Sequence, residues 1–473
     1  MKITACVFPI SLGRPLENAE KIKEITEKIS GDIYLFPAYA LSGVSCGKLP
    51  NLPSFKKEEE KAVDVLCEYT EKNDKCIVTS TFSDGNIAIY GGDINKSGKF
   101  VFSSKTISVS QSGKDSADIV LIPTAMPSYP CIKNDVSEFC SELSKQKNGV
   151  VAVANAGYGE STADDVFRGF CGVFNRGTIV AFSSQDKAET VVSSAEDDKT
   201  DGIVYARPKR IADKIPYYTK NDVSIYISEL VELQKQAVYS RAKFLGVKKL
   251  FVDIGDNSES LLALYVLSKT AEDLGLFPSD VVVFSVSEKT ENTVSSFGFT
   301  AAPAVSDNMR IRKAEILDLA EKENALFVGI LPLSEIAYGN ISLLRENVCH
   351  YNMNASLPRT VLWDAVKNVF RDDEETLRLA EEFCSVEKNL EIRYDLFDFW
   401  LYYFAKHNVG REELKNYALA TFDEYDDDMI EASLIRFISS YKKNQEIRSA
   451  TVEGANFIGF VLPYIPTDAD YVI

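Results

Sequence analysis

Short apolar strand patterns alternate with amphipathic helical patterns in the second half of the chain, and this alternation most constrains the fold. Parallel strands must be joined by long crossovers, so strands alternating with helices predict a doubly wound parallel α/β sheet. A run of helices follows. The predicted elements are helix 222–244, strand 249–254, helix 258–274, strand 281–286, helix 308–323 and strand 326–330, and then helices 359–370, 374–385, 394–407, 411–421 and 427–442.

The first half of the chain contains many short strand patterns and few helical ones. One helix is indicated by Ala19, Ile22, Ile25 and Ile29, which share a helical face, and another lies around 136–143. The polar, acidic stretch 184–203 indicates the start of a connection. The predicted organisation is a domain at 1–185, a linker at 186–221 and a domain at 222–473. The predicted strands are ITACVF, DIYLF, CIVTST, IAIYGG, KFVFSS, DIVLIP, GVVAVA and those near 171–174 and 178–182.

Charge and cysteine content exclude several classes of function. The net charge of −18 argues against nucleic acid and anionic membrane surfaces as partners. No segment approaches the roughly 20 apolar residues of a membrane span. The beginning, MKITACVFPI, is typical of a first strand and not of a signal peptide. Nine cysteines without a CxxC pair indicate neither a disulfide framework nor a zinc site, so we expect reduced thiols in the cytoplasm.

The loop GDNSES (255–260) lies between a predicted strand and a predicted helix. A strand, a short loop and a helix N-terminus form the usual phosphate-binding arrangement of α/β proteins. A phosphate site needs small residues and free backbone N–H groups, whereas this loop carries Asp256 and Glu259. The loop is therefore a working phosphate site, an altered one or an ordinary connection.

Six segments of the chain carry a resemblance to a known family. They are YLFPAYALSGVSCGKL (34–49), NAGYGESTADDVFRGF (155–170), DNMRIRKAEILDLAEKENALFVGILPLSEIAYGN (307–340), HYNMNASLPRTVL (350–362), YDLFDFWLYYFAKHNV (394–409) and the closing IRSATVEGANFIGFVLPYIPTDAD. They resemble glutamine-dependent NAD synthetases, which join a nitrilase-type glutaminase domain to an ATP-dependent synthetase domain. The resemblance covers nearly the whole chain in the right order. It implies a nitrilase-like αββα sandwich, followed by a doubly wound parallel α/β domain of the adenine nucleotide alpha hydrolase type with C-terminal helices.

The first catalytic centre implied by this resemblance needs a Glu base, a Lys and a Cys nucleophile. The Glu position is Ala38, which cannot accept a proton, and the Lys position fits Lys105. The segment between Lys105 and Asp118 contains no Cys and is too short for the expected strand and turn. Cys46, Cys131 and Cys171 lie where the family does not place its nucleophile. We therefore predict that the glutaminase site is lost and that Lys105 is vestigial.

The second centre implied by the resemblance is the nucleotide loop, which aligns with Gly255, Asp256, Asn257, Ser258, Glu259 and Ser260. Asp256 stands where the family has glycine, and a carboxylate about 4 Å from a phosphate charge costs about 4 kcal/mol at an effective dielectric of about 20. Glu259 keeps a carboxylate at the family's metal-binding position and is the one metal candidate.

The dinucleotide-binding positions are also altered. Ile330 and Pro332 replace polar groups, and Pro332 lacks an N–H. Arg359 replaces a Lys, which changes reach and geometry. An alternative, structural role is open for His350 and Tyr351. The positions that the resemblance implies for dinucleotide binding, predicted here to be vestigial, are Ser334, Glu335, His350, Tyr351, Asn354 and Arg359.

Three hypotheses follow for function. The first is a catalytically inactive homologue that acts as a regulatory, scaffolding or assembly protein and has no cofactor. The second is an NAD synthetase that converts nicotinic acid adenine dinucleotide to NAD with ATP, magnesium and ammonia through an atypical loop. The third is a non-catalytic sensor of an adenylate or dinucleotide. The resemblance also implies a homo-oligomer, with a related active synthetase as a further candidate partner.

Overall fold

The computed structural model describes residues 1–110, 117–163, 165–204, 214–218, 223–303, 306–338, 348–388, 392–460 and 462–463. The chain forms two compact units. The first comprises Met1–Ser161 and Asp165–Arg207, and the second comprises Thr162–Asp164 and Pro208–Ile473. Among the described helices, none is both long and apolar enough to cross a membrane.

The first unit contains two mixed sheets. The first sheet has the strand order β12-β1-β2-β3-β4-β5 and the second has the order β13-β11-β10-β9-β8-β7-β6. The strands are β1 Lys2–Val7, β2 Ile33–Leu35, β3 Cys76–Thr81, β4 Gly85–Tyr90, β5 Asp93–Asn95, β6 Lys99–Phe102, β7 Lys105–Val109, β8 Ile119–Thr124, β9 Val150–Asn155, β10 Phe170–Asn175, β11 Thr178–Ser184, β12 Val191–Glu196 and β13 Ile203–Val204. The helices are α1 Pro15–Lys28, α2 Pro53–Lys72 and α3 Ile132–Lys147.

Three apolar layers separate the sheets and helices of this unit. Ile22 of α1 and Leu66 of α2 belong to a buried cluster on the outer face of the first sheet. Residues of β1 and β8, on facing sheets, share the central cluster. Cys140 of α3 packs in a third cluster on the outer face of the second sheet. Alternate side chains of each strand thus enter different layers, and the predicted αββα sandwich is confirmed.

Two elements of the first unit differ from the sequence-based expectation. The highly charged stretch of α2 was not predicted as a helix, although Phe55, Ala62 and Leu66 share its buried face. The stretch 191–196 lies inside the predicted linker, but it forms β12, which pairs antiparallel with β1 over Lys2–Val7. The first compact unit extends to Arg207.

The second unit is built on a parallel sheet with the strand order β16-β15-β14-β17-β18. Every predicted strand of this half is present, and the predicted doubly wound sheet is confirmed. The strands are β14 Lys249–Asp253, β15 Val281–Phe284, β16 Thr300–Ala301, β17 Ala325–Gly329 and β18 Tyr351–Asn352. The helices are α4 Val223–Leu245, α5 Ser258–Leu274, α6 Glu291–Ser296, α7 Met309–Lys322, α8 Leu333–Tyr338, α9 Arg359–Val369, α10 Glu374–Lys388, α11 Tyr394–His407, α12 Arg411–Thr421, α13 Asp427–Lys443 and α14 Gln445–Ser449.

The side chains of β14 alternate between the two faces of this sheet. Phe251 packs with Ile316 and Ala320 of α7, while Leu250 and Val252 are fully buried toward the other face. The C-terminal helices α11 to α13 form an aromatic cluster around Trp400. β14 ends at Asp253 and α5 begins at Ser258, so the loop between them opens at the carboxyl ends of the parallel strands, where α/β folds usually bind ligands.

Candidate functional site

Ala38 lies at the carboxyl end of β8, whereas Lys105 lies at the opposite end of the strand pair. The N–H of Ala38 donates to the carbonyl oxygen of Thr124, 3.2 Å away. β7 runs parallel to β8 with Ile107 beside Ile119. Lys105 is therefore roughly 20 Å from Thr124, at about 3.3 Å per residue along a strand. The Lys105 side chain is 47% exposed, and the structure does not bring it together with Ala38.

The strand that precedes β8 in the chain is β7, which pairs with it in parallel. It ends at Val109, and the N–H of the next residue, Ser110, donates to Leu121 of β8. No cysteine lies on β7. The sequence analysis judged the segment after Lys105 too short for a strand and turn, whereas β7 begins at Lys105 itself.

Three cysteines that could be considered as nucleophiles are buried. Burial raises the pKa of Cys46 to about 11 and that of Cys171 to about 12. Cys131 is buried at the start of α3. A nucleophilic cysteine needs a lowered pKa, so Cys46 and Cys171 have the character of structural thiols.

The polar groups of loop 255–260 bond to one another. The N–H of Gly255 donates to Ser260 Oγ at 2.9 Å. Asn257 caps α5 because its side-chain oxygen accepts from the Ser260 N–H at 3.1 Å and from Ser260 Oγ. Asp256 is exposed and accepts from the Ser287 hydroxyl. The loop keeps the strand–loop–helix geometry, but the N–H of Gly255 and the side chain of Asn257 are already hydrogen-bonded to Ser260.

Arg359 is the centre of a buried group of carboxylates. Its guanidinium binds both oxygens of Glu259 at 3.0 and 3.3 Å. The same guanidinium lies 3.0 Å from Glu335 and 3.0 Å from Glu387. Only 5% of Arg359 is exposed. Tyr394 donates its hydroxyl hydrogen to Glu335. We call Arg359, Glu259, Glu335 and Glu387 the Arg359 cluster, which contains three carboxylates and one guanidinium.

Glu387 reaches the start of α5 from α10. Its carboxylate accepts from the Ser258 N–H at 2.8 Å, from Ser258 Oγ at 2.7 Å and from Trp363 Nε1 at 2.6 Å. A carboxylate thus lies at the N-terminus of α5. The sequence analysis did not find Glu387, because it is 129 residues from Ser258 and lies in an ordinary Glu-rich amphipathic helix.

Asp398 is a second buried acid, joined to the Arg359 cluster through Ser334. It accepts from Ser334 Oγ at 2.5 Å and from the N–H and hydroxyl of Thr360 at 2.9 and 2.8 Å. The N–H of Arg359 in turn donates to Ser334 Oγ at 2.8 Å. Burial raises the pKa of Asp398 to about 6, despite these donors.

Burial also dominates the electrostatics of the Arg359 cluster. It raises the pKa of Glu259 more than the neighbouring guanidinium lowers it. Burial alone would lower the pKa of Arg359, but Glu259, Glu387 and Glu335 raise it, so Arg359 stays charged. The environment is acidic, which is the opposite of what a polyphosphate requires.

His350, Tyr351 and Asn354 are not part of this cluster. The N–H of Phe327 donates to His350 Nδ1 at 3.0 Å, which ties His350 to strand β17. Tyr351 is buried in β18. Asn354 donates to the Ile330 carbonyl at 2.8 Å and accepts from Gln234 at 2.7 Å. These contacts support the structural alternative for His350 and Tyr351.

The residues at the loop do not fit ATP with magnesium. Both oxygens of Glu259, the metal candidate, accept from Arg359, and Asp256 adds a further negative charge. Within the part of the chain that the structure describes, no group of three or more His, Cys, Asp or Glu residues is arranged to hold a metal ion. The nearby Asp253 is bound by Lys313 at 3.0 Å and Arg312 at 3.2 Å.

Comparison with solved structures defines the fold at two levels. At the level of architecture, the chain has a nitrilase-type sandwich joined to a parallel α/β unit. At the level of the specific fold, it has the fold of glutamine-dependent NAD synthetases. The enzyme from Cytophaga hutchinsonii matches with a TM-score of 0.75 and 10% identity over 99% of this chain and 98% of that chain. The enzyme from Acinetobacter baumannii, solved with adenosine diphosphate, matches with a TM-score of 0.66 and 16% identity over 99% and 97%.

The similarity that these structures show is one of fold. No family model matches the sequence, and no curated protein matches it. The order of the two architectures and the coverage of both chains agree with the resemblance read from the sequence motifs. Function must be argued from the site, because one fold hosts many functions.

Proposed function

We propose that this protein is a non-catalytic homologue of glutamine-dependent NAD synthetases that acts as a regulatory, scaffolding or assembly protein. The observation that carries the proposal is the Arg359 cluster, in which three carboxylates surround one guanidinium beside the nucleotide loop. A polyphosphate brought to this place would meet excess negative charge in a poorly solvated environment, where repulsion is strong.

The first unit supports the same proposal. Ala38 has no group that takes a proton, β7 carries no cysteine, and Lys105 lies at the wrong end of its strand. Amide hydrolysis by a nitrilase-type mechanism needs a nucleophile and a base within hydrogen-bond reach of each other. Ala38 cannot supply the base of such a pair, and β7 supplies no cysteine to it.

Two alternatives remain, and a turnover assay tests the first of them. One is an NAD synthetase that uses ATP, magnesium and ammonia; the other is a sensor that binds an adenylate without turnover. Purified protein is incubated with ATP, magnesium, nicotinic acid adenine dinucleotide and either glutamine or ammonia, beside an active glutamine-dependent NAD synthetase as a positive control. We expect no glutamate, AMP or NAD above the blank without protein. NAD formation would overturn the proposal.

Calorimetry with ATP tests the second alternative, in which the protein is a sensor that binds an adenylate. We expect no binding tighter than about 100 μM, which corresponds to about 5.5 kcal/mol. The titration is made with and without magnesium, because a magnesium ion held by Asp256 and a released Glu259 is the route by which the loop could still bind phosphate. Tighter binding that depends on magnesium would favour the sensor.

A further inference from the structure

Three hydrogen-bond donors and one ion-pair partner converge on the carboxylate of Glu387. Two donors belong to Ser258 at the first turn of α5, its N–H at 2.8 Å and its Oγ at 2.7 Å. The third donor is Trp363 Nε1 of α9 at 2.6 Å, and a terminal nitrogen of Arg359, also of α9, forms the ion pair at 3.0 Å. All four residues are at least nine-tenths buried. A helix N-terminus, a hydroxyl, an indole N–H and a guanidinium together are the donors of an oxyanion receptor.

We propose that Ser258, Trp363 and Arg359 form an intact oxyanion receptor whose occupant is Glu387 of the same chain. The side chain of Glu387 thereby closes the phosphate position of the former nucleotide loop to external anions. The inference rests on the proposed function, because it assigns the loss of nucleotide binding at this loop to one identified side chain.

Capping of α5 does not account for Glu387. Asn257 already caps this helix by accepting from the Ser260 N–H. Glu387 binds the N–H of Ser258, two residues before Ser260, which is another of the first N–H groups that have no partner inside the helix. The helix therefore has its ordinary cap and, in addition, a carboxylate at the place where its dipole attracts anions.

Charge balance does not account for Glu387 either. Glu259 and Glu335 already more than neutralise Arg359. A third carboxylate adds repulsion to the Arg359 cluster, so its burial has to be offset by the donors that bind it. Ser258 and Trp363 supply neutral donors that serve no other acceptor described here. This arrangement is expected of a receptor that needs an anion.

The receptor takes a small oxyanion of the carboxylate or phosphate class. The three donors and the guanidinium do not distinguish these two classes, because a carboxylate and a phosphate each present at least two oxygens. Truncation of Glu387 leaves space for its own carboxylate group, which acetate matches in shape. As part of the chain, Glu387 has a high effective concentration, so external anions are expected to enter only after it is removed.

Chemical rescue tests this inference in the full-length chain. We expect Glu387→Ala to unfold at a lower temperature than the wild type, and acetate to raise its unfolding midpoint in a saturable manner relative to chloride at equal ionic strength. Inorganic phosphate is the second arm, and its effect tells which class is accepted. The control is Glu382→Ala, which removes an exposed carboxylate of the same helix that pairs with Lys289. Neither the control nor the wild type should respond to these anions beyond chloride.

A second variant keeps the test decisive if Glu387→Ala does not fold. Glu387→Gln keeps the side-chain volume, and intrinsic tryptophan fluorescence, to which Trp363 and Trp400 contribute, then reports displacement of the amide from Trp363 by acetate or phosphate. Saturable anion-specific changes in either variant support the receptor, and their absence in the variants that fold overturns it. ATP binding by the wild type would instead contradict the proposed function, so the two failures are distinguishable.

Discussion

At the residue scale, Asp398 is the acid for which burial and hydrogen bonding oppose each other most clearly. It is 1% exposed and its two oxygens accept from Ser334 and Thr360, yet burial raises its pKa from 3.8 to about 6. At Asp398 the folded state therefore binds more protons than the unfolded state between about pH 4 and 6. The contribution of Asp398 to the free energy of unfolding decreases as pH rises through that window. A shift of about two pKa units corresponds to roughly 3 kcal/mol.

The corresponding prediction concerns Asp398→Asn, which removes the titrating group. We expect the stability of the variant relative to the wild type to increase as pH rises from 4 to 6, because the decreasing contribution of Asp398 is absent from the variant. At low pH it should be less stable by about 1–3 kcal/mol, because the amide nitrogen cannot accept from Thr360. Denaturant unfolding at several pH values measures both effects. Asp395→Asn, at a half-buried position of the same helix, is the matched control for removal of one carboxylate. A variant with an unchanged slope would contradict the prediction.

At the element scale, the structure shows where local sequence information is sufficient. The pattern of 258–274 predicted α5 correctly at both ends, since Asn257 and Gly275 are local capping signals. The polar sequence of β12 gave no such signal, because its pairing with β1 bridges almost 190 residues. The same reason hid Glu387 and Asp398, whose roles depend on partners from distant elements. The loop itself was predictable, but its internal occupant was not.

The structure of β12 predicts different effects for two acidic substitutions inside the predicted linker. Ala195 is 5% exposed and belongs to the central layer of the first unit. Ala195→Asp should reduce the free energy of unfolding by at least roughly 3 kcal/mol, because it buries an unpaired charge. Thr190→Asp is the matched control at an exposed position and should change stability by less than about 0.5 kcal/mol. Equal tolerance of both substitutions would mean that 191–196 is a connection after all. Chemical denaturation followed by circular dichroism makes the comparison.

At the scale of the whole molecule, the resemblance implies a homo-oligomer, and the second sheet of the first unit offers a surface for it. Its edge strand β13 carries Ile203 and Val204, which are 72% and 74% exposed. Exposed apolar residues on an unpaired strand edge favour pairing with another chain, and a lysine there opposes it. We therefore expect light scattering at micromolar concentration to give the wild type a mass above that of one chain. The mass of Val204→Lys should be lower than that of the wild type. The matched control is Val101→Lys at the opposite edge strand, β6, where Val101 is 63% exposed. It should leave the mass unchanged. A wild-type monomer would refute the oligomer, whereas an oligomer that Val204→Lys leaves intact would refute only the assignment to β13.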